Sequence, residues 1–177
     1  GFTTAVASLG TALTEQHGRT LARYAKEVVI CYDSDTAGQK ATLKAISVLR
    51  ANGVKVKVAQ IPDAKDPDEF LKRYPQDGQE RLQAIFDAAP NDTEYRLMQC
   101  KNGLGVETPA GKLAYMEAAV GVLASLSDAV ERDIYADLLS RETGISKESI
   151  LQQTGIERVE NRKSVSISEE EPMSEDE

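Results

Sequence analysis

Two aspartates separated by one residue follow an apolar run in the first third of the chain. The segment from Val28 to Gly38 reads V-V-I-C-Y-D-S-D-T-A-G, so Asp33 and Asp35 come directly after a predicted strand. Side chains alternate along an extended segment, so both carboxylates can aim at one point. Converging carboxylates repel unless a cation joins them, and Mg²⁺ is commonly held by one or two carboxylates with substrate phosphates. The pattern predicts a metal site at the carboxyl end of a strand.

A second acidic segment follows the next predicted strand. Ala64 to Phe70 reads A-K-D-P-D-E-F. Pro67 disfavours helix at the residue before it, so we expect Asp66 in an extended loop and Asp68 at the start of a short helix. The carboxyl ends of parallel strands share one sheet edge, so this loop should face the first. Two cations could then bridge the carboxylates and a phosphate, as in phosphoryl transfer. The four predicted metal ligands are Asp33, Asp35, Asp66 and Asp68.

Each acidic segment also has an ordinary structural interpretation. Aspartate at a strand end is common as a turn or helix-capping residue, because it accepts hydrogen bonds from free backbone amides. Lys65 would then form only a local ion pair. The occurrence of two such loops at neighbouring strand ends favours the chemical interpretation. The small residues after Asp35 are also expected to let backbone amides approach a phosphate at the start of a helix.

The elements around these loops alternate between strand and helix. This order predicts right-handed parallel crossovers and an α/β fold with its ligand site where the strands end. The predicted strands are Ala5–Leu9, Val28–Tyr32 and Val54–Val58. The predicted helices run from a cap at Thr14 to about Lys26, from Ala37 to Arg50, from Glu69 to Arg73 and from Gln79 to Ala88.

From Asn91 onward the pattern is helical throughout. Asn91 or Asp92, Thr108, Asp128 and Ser146 are suitable helix-capping residues, and Gly103 and Gly144 are suitable stops. We expect a partial α/β domain over residues 1–90, a small helical bundle over 91–155 and a disordered acidic linker over 156–177. The predicted bundle core is Tyr95, Leu113, Met116, Val120, Leu123, Ile134, Leu138, Leu139, Ile145 and Ile150.

Composition excludes several classes of protein. The net charge is −8, and the segment from Glu157 to the end carries −5 of it, so the body is only weakly acidic. Any grip on nucleic acid must then be local, metal-assisted or supplied elsewhere. Cys31, Cys100 and the single His17 have no zinc or disulfide spacing. No apolar run is long enough for a membrane span, and we expect a cytoplasmic protein. The chain starts with Gly1, and we expect its natural beginning to lie upstream.

Several segments, taken together and in order, resemble bacterial DnaG-type primase. They are A-S-L-G-T-A-L-T (Ala7 to Thr14), D-S-D-T-A-G-Q-K-A, K-D-P-D-E-F, and the helical stretch with T-P-A-G-K and D-A-V-E-R-D-I-Y. The resemblance covers about Ala5 to Gln152 and implies the later part of a Toprim fold with the following helical subdomain of the RNA-polymerase core. It implies a DNA-directed RNA polymerase that makes short RNA primers on single-stranded DNA from nucleoside triphosphates, by two-metal nucleotidyl transfer with Mg²⁺ or Mn²⁺.

The resemblance also implies a role for each acidic residue. Asp33 and Asp35 match the catalytic Asp-x-Asp metal pair, and Asp66 and Asp68 match the second acidic pair. Ser34 stands where the family commonly has glycine, which should leave metal binding intact. The catalytic glutamate of the first Toprim strand and the amino-terminal zinc-binding domain would lie before Gly1. A region that engages the replicative helicase would follow the acidic linker. We therefore expect this chain alone to be inactive.

Two other interpretations stay open. An apolar strand followed by D-S-D-T is also the nucleophile pattern of haloacid-dehalogenase-like phosphatases, in which Asp33 would attack phosphorus and Asp35 would act as the general acid. The strand before it and the second acidic loop fit the Toprim pattern better. The third interpretation is a non-catalytic remnant whose helical half serves only as an interaction surface.

Overall fold

The first half of the chain alternates helices with two short strands. The computed structural model describes residues 2–8 and 12–155. The chain divides into two units, and the division falls between Tyr95 and Arg96. The elements before it are α1 (Glu15–Tyr24), β1 (Glu27–Ile30), α2 (Thr36–Ala51), β2 (Lys55–Val58), α3 (Pro67–Arg73) and α4 (Gly78–Asp87), and α5 (Asp92–Lys101) runs across it.

The two strands are parallel neighbours, and α2 connects them. Val28 is opposite Val56, and Ile30 is opposite Val58. Val56 and Val58 are buried, whereas the lysines that alternate with them are exposed or half-buried. This alternation follows from the two-residue period of a strand with one covered face. The parallel α/β arrangement predicted from the sequence is confirmed.

The predicted strand at Ala5–Leu9 is wrong for its described part. Residues 5–8 have no regular structure, and Val6 is 78% exposed. A strand is held by ladder hydrogen bonds to a neighbour. Within residues 2–8 and 12–155, β1 pairs only with β2, so an apolar run alone does not produce a strand here. Leu9 lies outside the described residues.

The far edge of β2 is covered by the segment that leads into α5. The Val58 amide donates to the Pro90 carbonyl at 2.9 Å, and Lys57 forms an isolated antiparallel bridge with Asn91. The next residue, Asp92, accepts a 2.7 Å hydrogen bond from Arg50 at the end of α2. These contacts hold the start of α5, up to Asp92, within the first unit.

The core of the first unit lies between the strands and α2. One side of α2 faces the strands, and Ala45, Val48 and Leu49 on that side are buried. A helix packed on a sheet buries residues three and four apart. The buried cluster consists of Ile30, Ala45, Ile46, Leu49, Val54, Val56, Val58 and Tyr95.

The second unit is helical in its described part. Its later elements are α6 (Pro109–Ala124), α7 (Ala129–Thr143) and α8 (Lys147–Gln153). Thr108, Asp128 and Ser146 cap these helices as predicted, and Gly144 ends α7 with φ of 76°. The buried core is Leu97, Tyr115, Met116, Ala119, Val122, Leu123, Leu126, Tyr135, Ala136, Leu139 and Ile150.

Four predicted core residues of the bundle lie elsewhere. Tyr95 belongs to the core of the first unit. Leu113, Ile134 and Leu138 are exposed by 67%, 58% and 47%. Helix α7 is apolar on two sides, and only the side with Tyr135, Ala136 and Leu139 packs into the core. The sequence prediction included Leu139 from the buried side of α7, and it also placed Ile134 and Leu138 of the exposed side in the core.

The last sequence predictions concern the domain bounds and the acidic linker. The domain bounds 1–90, 91–155 and 156–177 stay predictions, and the predicted acidic linker lies outside the described residues. No helix in the described part of the chain has the length and apolar character needed to cross a membrane.

Candidate metal centre at the strand ends

Asp33 is positioned by a close contact with the first turn of α2. It follows β1 by three residues, and its side chain is exposed. A Cβ built on Gly38 would lie 2.0 Å from the Asp33 carbonyl oxygen and 2.9 Å from its carbon. Any side chain at Gly38 would push these two segments apart, since such distances are far below contact. The glycine of the D-S-D-T-A-G motif thus lets the Asp33 backbone lie on the helix.

Asp35 caps α2. Its Oδ1 accepts a 2.7 Å hydrogen bond from the Gly38 amide. This bond satisfies one of the free amides of the first helical turn. The amide expected to approach a phosphate is therefore already used within the chain, and that expectation is wrong for Gly38. Asp35 is exposed, and its second oxygen remains available for a cation.

Asp66 caps α3 in the same way. Its Oδ1 accepts a 2.8 Å hydrogen bond from the Glu69 amide, and the Glu69 carboxylate accepts a 3.0 Å bond from the Lys65 amide. Pro67 occupies the first turn, where its missing amide costs nothing. The prediction that Asp68 starts this helix is wrong, because Asp66 is the cap. The sequence prediction of an extended Asp66 is confirmed, with φ of −149°.

The two acidic loops meet. The Ser34 amide, between the two aspartates of the first loop, donates a 3.3 Å hydrogen bond to the Lys65 carbonyl, next to Asp66. The electrostatic environment of Cys31 also shows that the two loops are close to each other. Burial raises the pKa of the Cys31 thiol to about 11, and the negative charges of Asp33 and Asp66 add to this effect. A carboxylate from each loop thus lies near the end of β1.

Asp68 differs from the other three acidic residues. It forms an ion pair with Lys72, one helical turn later, at 2.6 Å. Its side chain is 74% exposed, so this pair is screened by solvent. No described contact brings Asp68 to the first loop. Its assignment as a metal ligand rests on sequence alone.

The donor set suits a hard divalent cation. Within the described ranges no three histidine, cysteine or acidic side chains form a ready cation site. Mg²⁺, however, keeps several waters and takes oxygen ligands from substrate phosphates as well as from protein. The exposed carboxylates of Asp33 and Asp35 and the half-buried carboxylate of Asp66 lie around one strand end and fit that mode of binding. A closed protein cage is not required for it.

Sequence reasoning missed two features that shape this site. One is the contact between Gly38 and Asp33, and the other is the hydrogen bond between Ser34 and Lys65. A glycine three residues after a capping aspartate is a signal for the first. No sequence signal points to the second, because it joins residues thirty-one apart.

Comparison with known proteins identifies the family. A family model described as Toprim-like matches residues 1–71, and one described as the DnaB-helicase binding domain of primase matches residues 93–148. The DNA primase of Clostridium acetobutylicum is 38% identical over 150 residues. The chain belongs to the bacterial DnaG-type primase family. This match covers 85% of the chain and 24% of the Clostridium primase, so the chain spans about a quarter of that relative's length.

Solved primase structures share the fold. A DNA primase domain from Pseudomonas aeruginosa is 30% identical with a TM-score of 0.68, over 88% of this chain and 49% of that one. The RNA polymerase domain of Mycobacterium tuberculosis primase DnaG is 26% identical with a TM-score of 0.63, over 81% of this chain and 46% of that one. That structure is a complex with a double-stranded DNA oligomer carrying a 6-nucleotide overhang. The Toprim-like primase core is thereby confirmed, and the phosphatase interpretation is not favoured.

The helicase-binding family model matches a different region from the one in which the resemblance placed helicase binding. The resemblance implied a helicase-binding region beyond the acidic linker. The model described as the helicase-binding domain of primase instead matches residues 93–148, which include α6 and α7. The matched residues lie mostly in the helical second unit.

Proposed function

We propose that this chain is part of the catalytic core of a primase, a DNA-directed RNA polymerase that makes short RNA primers on single-stranded DNA. Membership of the DnaG-type family supports the reaction class. The observation that carries the site assignment is the hydrogen bond between Ser34 and Lys65, which joins the two acidic loops. It brings the family's two acidic motifs together at one strand end.

The reaction joins a nucleotide to a primer end. The 3′ oxygen of the primer forms a bond to the α-phosphorus of an incoming nucleoside triphosphate. The bond from that phosphorus to the bridging oxygen breaks, pyrophosphate leaves with the bond electrons, and the hydroxyl proton passes to solvent. The protein contributes positioning and charge neutralisation, as in other phosphoryl transfers.

The acidic residues would supply the metal ligands. Asp33, Asp35 and Asp66 have carboxylate oxygens available, and Asp68 would join them by exchanging its ion pair with Lys72. Bound Mg²⁺, or Mn²⁺, would neutralise charge on the phosphates and polarise the reacting oxygens. The Gly38 contact holds the Asp33 backbone, and the caps at Asp35 and Asp66 fix each loop to its helix. The described residues offer no zinc ligand set, and the family's zinc would belong to its amino-terminal domain.

The proposed partners follow from the same assignment. They are a single-stranded DNA template, nucleoside triphosphates and the growing RNA primer. The DNA in the Mycobacterium structure supports a nucleic-acid partner. The helicase-binding family match supports a replicative helicase as the partner of residues 93–148. We propose that primer synthesis takes place in the bacterial cytoplasm. The weakly acidic body favours a local grip on DNA over a broad basic surface.

Template-directed primer synthesis tests the proposal. The full-length protein that contains this chain is assayed with single-stranded DNA, labelled nucleoside triphosphates and Mg²⁺, beside its Asp33→Asn variant. We expect primers from the wild type and none from the variant. Equal primer synthesis by both would remove Asp33 from the site. Phosphatase activity inhibited by beryllofluoride, without primer synthesis, would favour a phosphoaspartate enzyme.

A further inference from the structure

Lys65 lies where the two acidic loops join. Its carbonyl accepts the 3.3 Å hydrogen bond from Ser34, and its amide donates at 3.0 Å to Glu69. Both backbone groups are therefore held, one by each side of the junction. Asp66 is the next residue. The side chain of Lys65 thus starts from a fixed point beside the proposed metal ligands.

The carboxylates around Lys65 have other partners. Asp66 accepts from the Glu69 amide, Glu69 pairs with Arg73 at 3.1 Å, and Asp68 pairs with Lys72 at 2.6 Å. Lys65 is exposed, and it forms no ion pair within residues 2–8 and 12–155. The local ion pair that would have been its ordinary role is therefore not made. A cation beside three carboxylates remains available for an anionic ligand.

We propose that Lys65 binds the β- and γ-phosphates of the incoming nucleoside triphosphate. This inference rests on the proposed primase function. The carboxylates of Asp33, Asp35 and Asp66 would by themselves repel a triphosphate, and a cation beside them offsets that repulsion. The lysine ammonium is a compact charge on a flexible stem, which suits phosphates that change position as pyrophosphate leaves.

A phosphate of the DNA template is the other possible ligand of the same chemistry. The nucleoside triphosphate is favoured because Lys65 is adjacent to Asp66, a proposed ligand of the metal that holds the triphosphate. A template contact would change DNA affinity and its salt dependence. A triphosphate contact would change the KM for nucleotide and the inhibition constant of pyrophosphate.

The experiment compares Lys65→Gln with two other variants in the full-length protein. Lys65→Arg keeps the charge. Lys55→Gln removes the charge of another exposed lysine, which has no described ion pair and lies at the amino end of β2, away from the acidic loops. For Lys65→Gln we expect the KM for nucleotide and the inhibition constant of pyrophosphate each to rise about tenfold, the loss typical of one charge-assisted hydrogen bond. The kcat and the template Kd should stay within about twofold. Lys65→Arg should recover most of the nucleotide affinity that Lys65→Gln loses, because it keeps the charge, and Lys55→Gln should resemble the wild type.

Each other outcome overturns the inference. Nucleotide KM and pyrophosphate inhibition unchanged in Lys65→Gln would show that Lys65 does not bind the triphosphate, and a weaker template affinity alone would assign it to DNA. An equal effect of Lys55→Gln would show that the changes follow from the loss of any one positive charge and are not specific to Lys65. Asp33→Asn keeps the two proposals apart. If that variant still makes primers, the proposed site has failed, whereas an inactive Asp33→Asn with a normal Lys65→Gln contradicts only the inference about Lys65.

Discussion

Gly38 and Asp33 are packed so closely that a Cβ on Gly38 would lie 2.0 Å from the Asp33 carbonyl oxygen. That oxygen belongs to the backbone, so no flexible side chain can move aside to make room for the Cβ. Gly38→Ala should therefore displace the first acidic loop from α2. We expect a loss of roughly 1–3 kcal/mol in unfolding free energy, the range for overpacked sites, together with a large loss of primer synthesis. Urea unfolding and the primer assay measure the two effects.

Gly121 provides the matched control for that substitution. It lies inside α6, and a Cβ added there meets nothing within 4 Å. Gly121→Ala should raise stability by roughly 0.5–1 kcal/mol, because alanine is the better helix former. Primer synthesis should be unchanged. A Gly38→Ala protein as stable and active as Gly121→Ala would disprove the positioning role of Gly38.

Asp35 has a structural and a chemical role that two substitutions can separate. Its Oδ1 accepts from the Gly38 amide as a helix cap. Asparagine can keep that bond, but its neutral amide is a poor Mg²⁺ ligand. We expect Asp35→Asn to retain stability and to lose activity, whereas Asp35→Ala should also lose roughly 0.5–2 kcal/mol of unfolding free energy. Thermal unfolding with the primer assay distinguishes them.

Asp128, which caps α7 through the Val130 amide at 2.8 Å, is the control for capping alone. Asp128→Ala should be destabilised to a similar extent as Asp35→Ala and should still make primers in proportion to its folded fraction. Activity retained in Asp35→Asn would leave Asp35 as a cap and nothing more.

Tyr115 predicts how the helical unit responds to alkaline pH. Its side chain is 2% exposed, and its hydroxyl donates to Glu142 at 3.1 Å. Burial, followed by the nearby charge of Glu142, raises the pKa of Tyr115 above its ordinary value. The unfolded chain therefore loses this proton first. Its contribution to stability is full below about pH 10 and falls as the pH rises from there through the folded pKa.

Denaturant unfolding between pH 8 and pH 11 checks this sign. Tyr115→Phe should be less stable at pH 8, because its hydrogen bond is lost, and should show a shallower decline above pH 10. Tyr24→Phe, at an 85% exposed position, should follow the wild-type curve. A wild-type decline no steeper than that of Tyr115→Phe would contradict the prediction.

The two apolar sides of α7 should differ sharply in their contribution to stability. Leu139 is fully buried, whereas Ile134 is 58% exposed. Leu139→Ala should lower the unfolding free energy by roughly 2–5 kcal/mol, and Ile134→Ala should change it by less than about 0.5 kcal/mol. Equal losses would mean that Ile134 is covered in the folded protein. Chemical denaturation of the two variants is sufficient.

The sequence predicted those features that depend on local chemistry. Capping by Thr14, Thr108, Asp128 and Ser146 was predictable, because each residue's side chain bonds within its own turn. The placement of the acidic motifs at strand ends followed from alternation of strands and helices in a parallel fold. The same features made the resemblance to primases specific.

The errors arose where the outcome depends on distant partners. The predicted strand at Ala5–Leu9 required a neighbour that the described residues do not provide. Periodicity could not tell which side of α7 would face the core, and Ile134 and Leu138, which are exposed, were predicted to be core residues. The junction of Ser34 with Lys65 depends on how β1, β2 and their loops pack together. The four metal-ligand assignments stay predictions.

Mn²⁺ binding followed by electron paramagnetic resonance tests the central claim most directly, since it observes the ion at the two acidic loops. The protein is titrated as wild type, Asp33→Asn, Asp66→Asn and the capping control Asp128→Asn. We expect Asp33→Asn and Asp66→Asn to bind at least one ion about tenfold or more weakly, because each loses a charged ligand. The control Asp128→Asn should bind Mn²⁺ as the wild type does. Wild-type Mn²⁺ affinity and stoichiometry in both Asp33→Asn and Asp66→Asn would contradict the assignment of this site.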